Sequence, residues 1–218
     1  MHVGHFAVGL AVKRIEPRIS LGTALLAALL ADLLFCTLSI AGIEHAGFLS
    51  GVATNRFFGY NIGYSHSLLM DVMWAALFAA AYLLRRRFPR GAWILFAAVL
   101  SHWLLDAVSH RPDMPLAPGA PIALGLGLRN SPLATLLVEG GFWLLAIVLY
   151  ARAMHPKNRT GIYAFWIGVG LLTFFGAANV LSTKPPPSAV QAGIASLIYF
   201  SLVVAWAYWM NRLRVSIQ

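Results

Sequence analysis

The chain has 218 residues, of which 60% are hydrophobic and 11% charged, with a mean hydropathy of +0.75. A water-soluble domain cannot cover its surface with so few charges, so the surrounding solvent is lipid. The formal charge of +9 does not mark a nucleic-acid binder, because the sixteen Lys and Arg residues fall between apolar runs and not on one helical face. The one cysteine, Cys36, lies within an apolar run, which excludes a disulfide framework.

In chain order, residues 1–12 are apolar but lack a preceding basic region and a small-residue cleavage site, so they are expected to be retained. They are too short to cross about 30 Å of hydrocarbon, which predicts a re-entrant or half-helix. Apolar runs of spanning length follow at 19–42, 64–84, 91–108, 132–150, 161–181 and 189–210. The expected fold is therefore all-α: a single polytopic membrane domain over 1–218, a bundle of six transmembrane helices plus the N-terminal half-helix. Proline and glycine clusters at Arg111 to Pro121, Met154 to Gly161 and Lys184 to Pro187 mark connections. Gly140 and Gly141 are read as close-packing positions between helices, and Trp93, Tyr208 and Trp209 as interfacial residues.

Basic residues alternate between sides. Lys13, Arg14, Arg18, Arg85, Arg86, Arg87, Arg90, Arg152, Lys157, Arg159, Arg212 and Arg214 fall on one side, and Arg56, Arg111, Arg129 and Lys184 on the other. This distribution puts the first group and the C-terminus in the cytoplasm and predicts a multi-pass inner-membrane protein.

Ionisable groups inside such spans are costly and point to function. At about 1.5 Å per residue, His5, Asp32, His66, His102, Asp106 and Glu139 all fall in the middle and outer parts of the bilayer. His102 and Asp106 are four residues apart and share a helical face, as do His2 and His5 at a spacing of three. Imidazoles and carboxylates converging from several helices are ligands for a divalent ion, most simply Zn²⁺. His45 and His155, in loops, are read as hydrogen-bonding residues, Cys36 as a small buried apolar residue and Asp71 as bonded to a neighbouring span. Glu44 is either a ligand or an acid of the outer loop.

The segments "GHFAVGL", "LLADLLF", "YSHSLL" and "SHWLLDAVSHRPDMPL" resemble the YdjM-like group of bacterial membrane-bound metal-dependent hydrolases. The resemblance covers roughly the N-terminal half and implies His5, Asp32, His66, His102 and Asp106 as metal ligands. Two features depart from it: Asp32 stands alone where an acidic pair followed by histidine is common, and "NIG" replaces "HRG". These favour one metal, or ligands drawn from His2, His110 or Glu139.

The expected function is thus a membrane-embedded hydrolase in which a metal-activated water attacks an amphiphilic or lipid (phospho)ester in a pocket open to the outer side. Glu139 or His110 would act as general base, and Arg111 and Arg129 would meet an anionic head. The bilayer and an amphiphilic substrate are the expected partners, with no nucleic acid. A metal or proton transporter, or a metal-braced scaffold without catalysis, are the alternatives. A transporter needs a polar route through the other half of the membrane, where "GAWILFAAVL" offers none.

Overall fold

A computed structural model describes residues 1–48, 57–182 and 188–216. Arg56, Lys184 and the Lys184 to Pro187 connection lie outside the described residues. The fold is an all-α polytopic bundle. Its described helices are α1 (His2–Ile15), α2 (Leu21–Ala28), α3 (Leu30–Ile40), α4 (Gly63–His66), α5 (Leu68–Arg86), α6 (Pro89–Ser109), α7 (Pro132–Ala153), α8 (Arg159–Leu181) and α9 (Ala189–Leu213). Two-stranded antiparallel pairs decorate the connections: β1 (His45–Phe48) with β2 (Phe57–Asn61), β3 (Met114–Pro115) with β4 (Ala123–Leu124), and β5 (Met154–Pro156) with β6 (Arg214–Ser216).

Local chemistry sets the helix starts. Ser20, Ser67, Ser131, Asn158 and Ser188 each accept a hydrogen bond from a backbone N–H of the first turn of the helix they precede. Pro89 and Pro132 open α6 and α7, where a missing N–H costs nothing. At its other end α5 stops at Arg87, whose φ of 52° is left-handed, immediately before the turn into α6.

Five helices are long and apolar enough to cross a membrane, and α2 with α3 makes a sixth span only as a pair bent by 57°. The run 19–42 is therefore not one straight helix; it breaks at Leu29. The run 64–84 is also interrupted, at Ser67, between α4 and α5. Large apolar side chains such as Leu77, Leu84, Leu137, Ile167 and Leu202 are more than half exposed, as lipid-facing positions must be. Trp93 is 72% exposed and Trp209 47%, which suits interfacial residues.

The short helix α1 is the hub. It packs against α2, α6, α7 and α8, and Phe6, Ala7 and Leu10 are buried in one cluster with Leu25, Trp143, Tyr150, Phe165 and Met210. A second cluster gathers Val12, Ile19, Ala24, Leu95 and Val99. Close approach depends on missing side chains: a Cβ on Gly9 would overlap Leu25, and one on Gly22 would overlap the Tyr208 ring. Below α1 the chain turns back through Lys13, whose ammonium donates to the carbonyls of Pro17 (2.6 Å) and Ile19 (3.1 Å). Enclosing α1 in this way puts its histidines inside the bundle.

Candidate metal centre

Each polar group of the centre sits where a helix begins, ends or breaks. His5 lies in the first half of α1, Asp32 in the first turn of α3 just past the Leu29 break, and His66 ends α4. His102 and Asp106 occupy the last two turns of α6, and His110 follows it in extended geometry. His5, His66, His102, Asp106 and His110 are all buried to 6% exposure or less.

Their distances separate hydrogen bonding from coordination. His102 Nε2 lies 3.5 Å from Asp106 Oδ2 and 3.8 Å from Asp32 Oδ1, and His66 Nε2 lies 3.8 Å from both carboxylates. Most of these are too long for hydrogen bonds. They suit atoms sharing one ion, since ligands at about 2.1 Å in a tetrahedron stand roughly 3.4 Å apart. His66, His102 and Asp106 form one such group, and His5, Asp32 and His102 another that shares His102. The His5 and His102 rings stack in parallel, 3.8 Å between centroids and 6° between planes. His5 Nε2 is 3.2 Å from Asp106 Oδ1, and the Met1 amino group donates to that same oxygen while lying 3.1 Å from His5 Nε2.

Hydrogen bonds on the far side of two rings decide which nitrogen faces inward. His102 Nδ1 is 2.8 Å from the carbonyl oxygen of Ala28, which can only accept, so Nδ1 carries the proton and Nε2 presents its lone pair. That Nε2 is buried without any hydrogen-bond partner. The accepting carbonyl is the last of α2, so the Leu29 break both redirects Asp32 and supplies the group that orients His102. His66 Nδ1 is 2.7 Å from Ser65 Oγ, whose own proton goes to Glu44 Oε2 at 2.5 Å. The serine oxygen therefore accepts from Nδ1, and His66 Nε2 is also bare. Glu44 is held in turn by the backbone N–H groups of Tyr64 (2.7 Å) and Ser65 (2.9 Å). An orphaned imidazole lone pair beside two carboxylates, with ring tautomers set from outside, is the donor arrangement a divalent ion requires.

Other residues singled out from the sequence take different places. His2 turns away from the centre and stacks on Tyr199 of α9, with Nε2 3.3 Å from the tyrosine hydroxyl. His110 is buried beside Asp106: Nε2 is 3.5 Å from Asp106 Oδ2 and accepts from Arg129 Nη1 at 2.6 Å, while Nδ1 is 3.0 Å from Asp113 Oδ1. Glu139 is buried in α7 with Oε2 unpartnered, but among the described residues no hydrogen bond or ion pair joins it to the cluster. Asp71 is buried outside the cluster, facing the backbone of Trp103 on the neighbouring α6, and among the described residues no closer hydrogen bond reaches its carboxylate oxygens. Cys36 packs into the apolar core. Glu44 reaches the cluster only through Ser65, which bonds the His66 ring, a link from a distant connection that the sequence could not show.

The family model for the YdjM inner membrane protein matches residues 1–184. The chain belongs to the YdjM inner membrane protein family. The matched region holds every residue of the centre, and with its apolar helices it makes this YdjM-family chain a multi-pass inner-membrane protein. No curated protein and no solved structure matches it.

Proposed function

We propose that this YdjM-family protein is a metal-dependent hydrolase of amphiphilic or lipid (phospho)esters. The observation that carries the reading is the convergence of the bare Nε2 atoms of His66 and His102 on Asp32 and Asp106 at 3.5 to 3.8 Å. Asp32, His66, His102 and Asp106 hold the ion, most simply Zn²⁺, and His5 completes the set. A divalent ion held there supplies Lewis-acid activation of water at neutral pH.

The remaining chemistry falls to His110 and Arg129. His110, with Nδ1 turned to Asp113 and Nε2 to the centre, takes the proton of the attacking water. Arg129 donates to that nitrogen and meets an anionic headgroup, whose arrival draws the guanidinium away and frees the base. Glu139, the other base expected from the sequence, makes no hydrogen bond or ion pair with the cluster among the described residues, and we assign this role to His110. The pocket opens to the outer face, with the C-terminus cytoplasmic.

The test is metal analysis of purified protein together with turnover on a panel of phosphoester, carboxylester and amide lipids. His110→Gln is expected to keep its metal and lose about 10²- to 10⁴-fold in rate, and Glu139→Gln to retain both. A loss of rate confined to Glu139→Gln moves the base to α7. Metal-loaded wild type inert across the panel replaces the hydrolase with a metal-braced scaffold. Orientation is tested by reporters fused after Arg87 and at Gln218, expected to read cytoplasmic, and between Arg111 and Arg129, expected to read external.

A further inference from the structure

Helices α7 and α8 leave between them an open groove of about 550 Å³, lined by Gly140, Leu144, Val148, Arg152, Trp166 and Thr173 among others. From Gly140 to Arg152 it runs about 18 Å along α7 at 1.5 Å per residue. Gly140 is not a close-packing position: a Cβ there, or on Gly141, would meet nothing within 4 Å. The polar groups in its depth are already matched, since Trp143 Nε1 donates to Thr173 Oγ1 (2.8 Å) and Thr173 Oγ1 donates to the Val169 carbonyl (2.7 Å). What remains is an apolar channel with one cation at its end, the exposed Arg152.

That cation has no counter-ion in its own half of the chain. No acidic residue follows Glu139 in the sequence, whereas Arg152, Lys157, Arg159, Lys184, Arg212 and Arg214 do. Arg214 is turned inward, its two terminal nitrogens donating to the carbonyls of Gly161 and Met154 and its guanidinium lying over the Phe165 ring, with Nε buried and unpartnered. Among the described residues no ion pair reaches Arg152, and Lys157 and Arg159 are exposed close to it in the chain.

We propose that the α7–α8 groove is a binding site for one anionic phospholipid, with an acyl chain along Leu144 and Val148 and the phosphate on Arg152. The guanidinium fork matches a phosphate, and a basic pocket between spans is where anionic headgroups collect. The occupant is not the tail of a substrate held at the metal centre, because its headgroup would then not meet Arg152, the one charged side chain in the groove's lining. A second copy of the chain docked through the same face would bring more cations and no acid. The site is separate from the metal centre and does not depend on what is hydrolysed there.

Native mass spectrometry of the full-length protein, released from detergent with phosphatidylglycerol or phosphatidylcholine, tests this. One phosphatidylglycerol is expected to survive collisional activation that strips phosphatidylcholine. Arg152→Gln should weaken its retention about tenfold, and Val148→Trp, which fills the groove and keeps the charge, should abolish it. Arg86→Gln, at the end of α5, should leave it unchanged. Equal retention of the two lipids, undiminished retention in Arg152→Gln, or an equal loss in Arg86→Gln would each overturn the assignment, the last by showing diffuse surface charge. So would a dimer cross-linked through Leu144→Cys.

Discussion

The two halves of the molecule are equally apolar but built on opposite plans. From α7 onward the helices run 22, 23 and 25 residues without a break, and the one acid among them is Glu139. In the first half α1 to α4 are short or interrupted while α5 and α6 run 19 and 21 residues, and the acids and His66 of the candidate centre lie at breaks or helix ends: Asp32 after Leu29, His66 before Ser67, Asp106 in the turn before α6 ends. Lipid tolerates irregular backbone only where protein satisfies the freed groups. Here the centre does so, as when the Ala28 carbonyl accepts a hydrogen bond from His102 Nδ1. Broken backbone and ionisable side chains thus support one another, and the unbroken half is left to packing and lipid.

The largest expected effect tests the first half directly. His102→Ala and Asp106→Ala should each lower bound divalent metal by at least ~100-fold with the helix content intact, as inductively coupled plasma mass spectrometry and circular dichroism would report. Thr173→Ala, in the other half, should leave the metal unchanged. Full retention in both ligand variants would reduce the cluster to a buried polar network.

Orientation of the ligands from outside is the next target. Glu44→Gln and Ser65→Ala are expected to weaken metal binding roughly 10- to 100-fold without unfolding, because His66 loses the partner that keeps Nε2 bare. Competition with a metal chelator measures it. Unchanged affinity would mean that His66 is oriented by packing against Phe35, whose ring meets it edge-on at 5.7 Å.

Packing gives a smaller contrast. Gly22→Ala should lower Tm, since its Cβ overlaps the Tyr208 ring, whereas Gly141→Ala meets nothing within 4 Å and should raise Tm slightly, by about 1 kcal/mol of helix propensity. Thermal melts in detergent that show the two variants alike would contradict the packed and open faces assigned to these helices.

The smallest effect lies at the turn after α1, where Arg18 Nε donates to Glu16 at 3.0 Å and Arg90 lies 3.4 Å from the same carboxylate. The Arg18 hydrogen bond holds the Glu16 carboxyl below its ordinary value of 4.5. A depressed carboxyl stabilises the fold above its unfolded pKa, and that contribution fades as pH falls through the folded value. Melting between pH 6 and pH 3 should therefore show a slightly steeper acid loss in wild type than in Glu16→Gln.

Much of this was legible in the chain alone. Long apolar runs mark the spans because the bilayer thickness sets their length, and counting at 1.5 Å per residue puts His5, Asp32, His66, His102 and Asp106 at similar depth. The four-residue spacing of His102 and Asp106 is enough to put them on one face. Depth is only one coordinate, however. Rotation about each helix axis is set by neighbours, so the sequence could not tell that His2 turns to Tyr199, that Glu139 Oε2 is left without a hydrogen-bond partner, or that Gly140 faces an open groove. Nor could an apolar run reveal the break at Leu29, since each residue around it suits a helix and only the tertiary contact with His102 uses the carbonyl at the end of α2. Composition and spacing determined which groups enter the membrane and how deep they lie; the packing of α1 among α2, α6, α7 and α8 decided which of them meet.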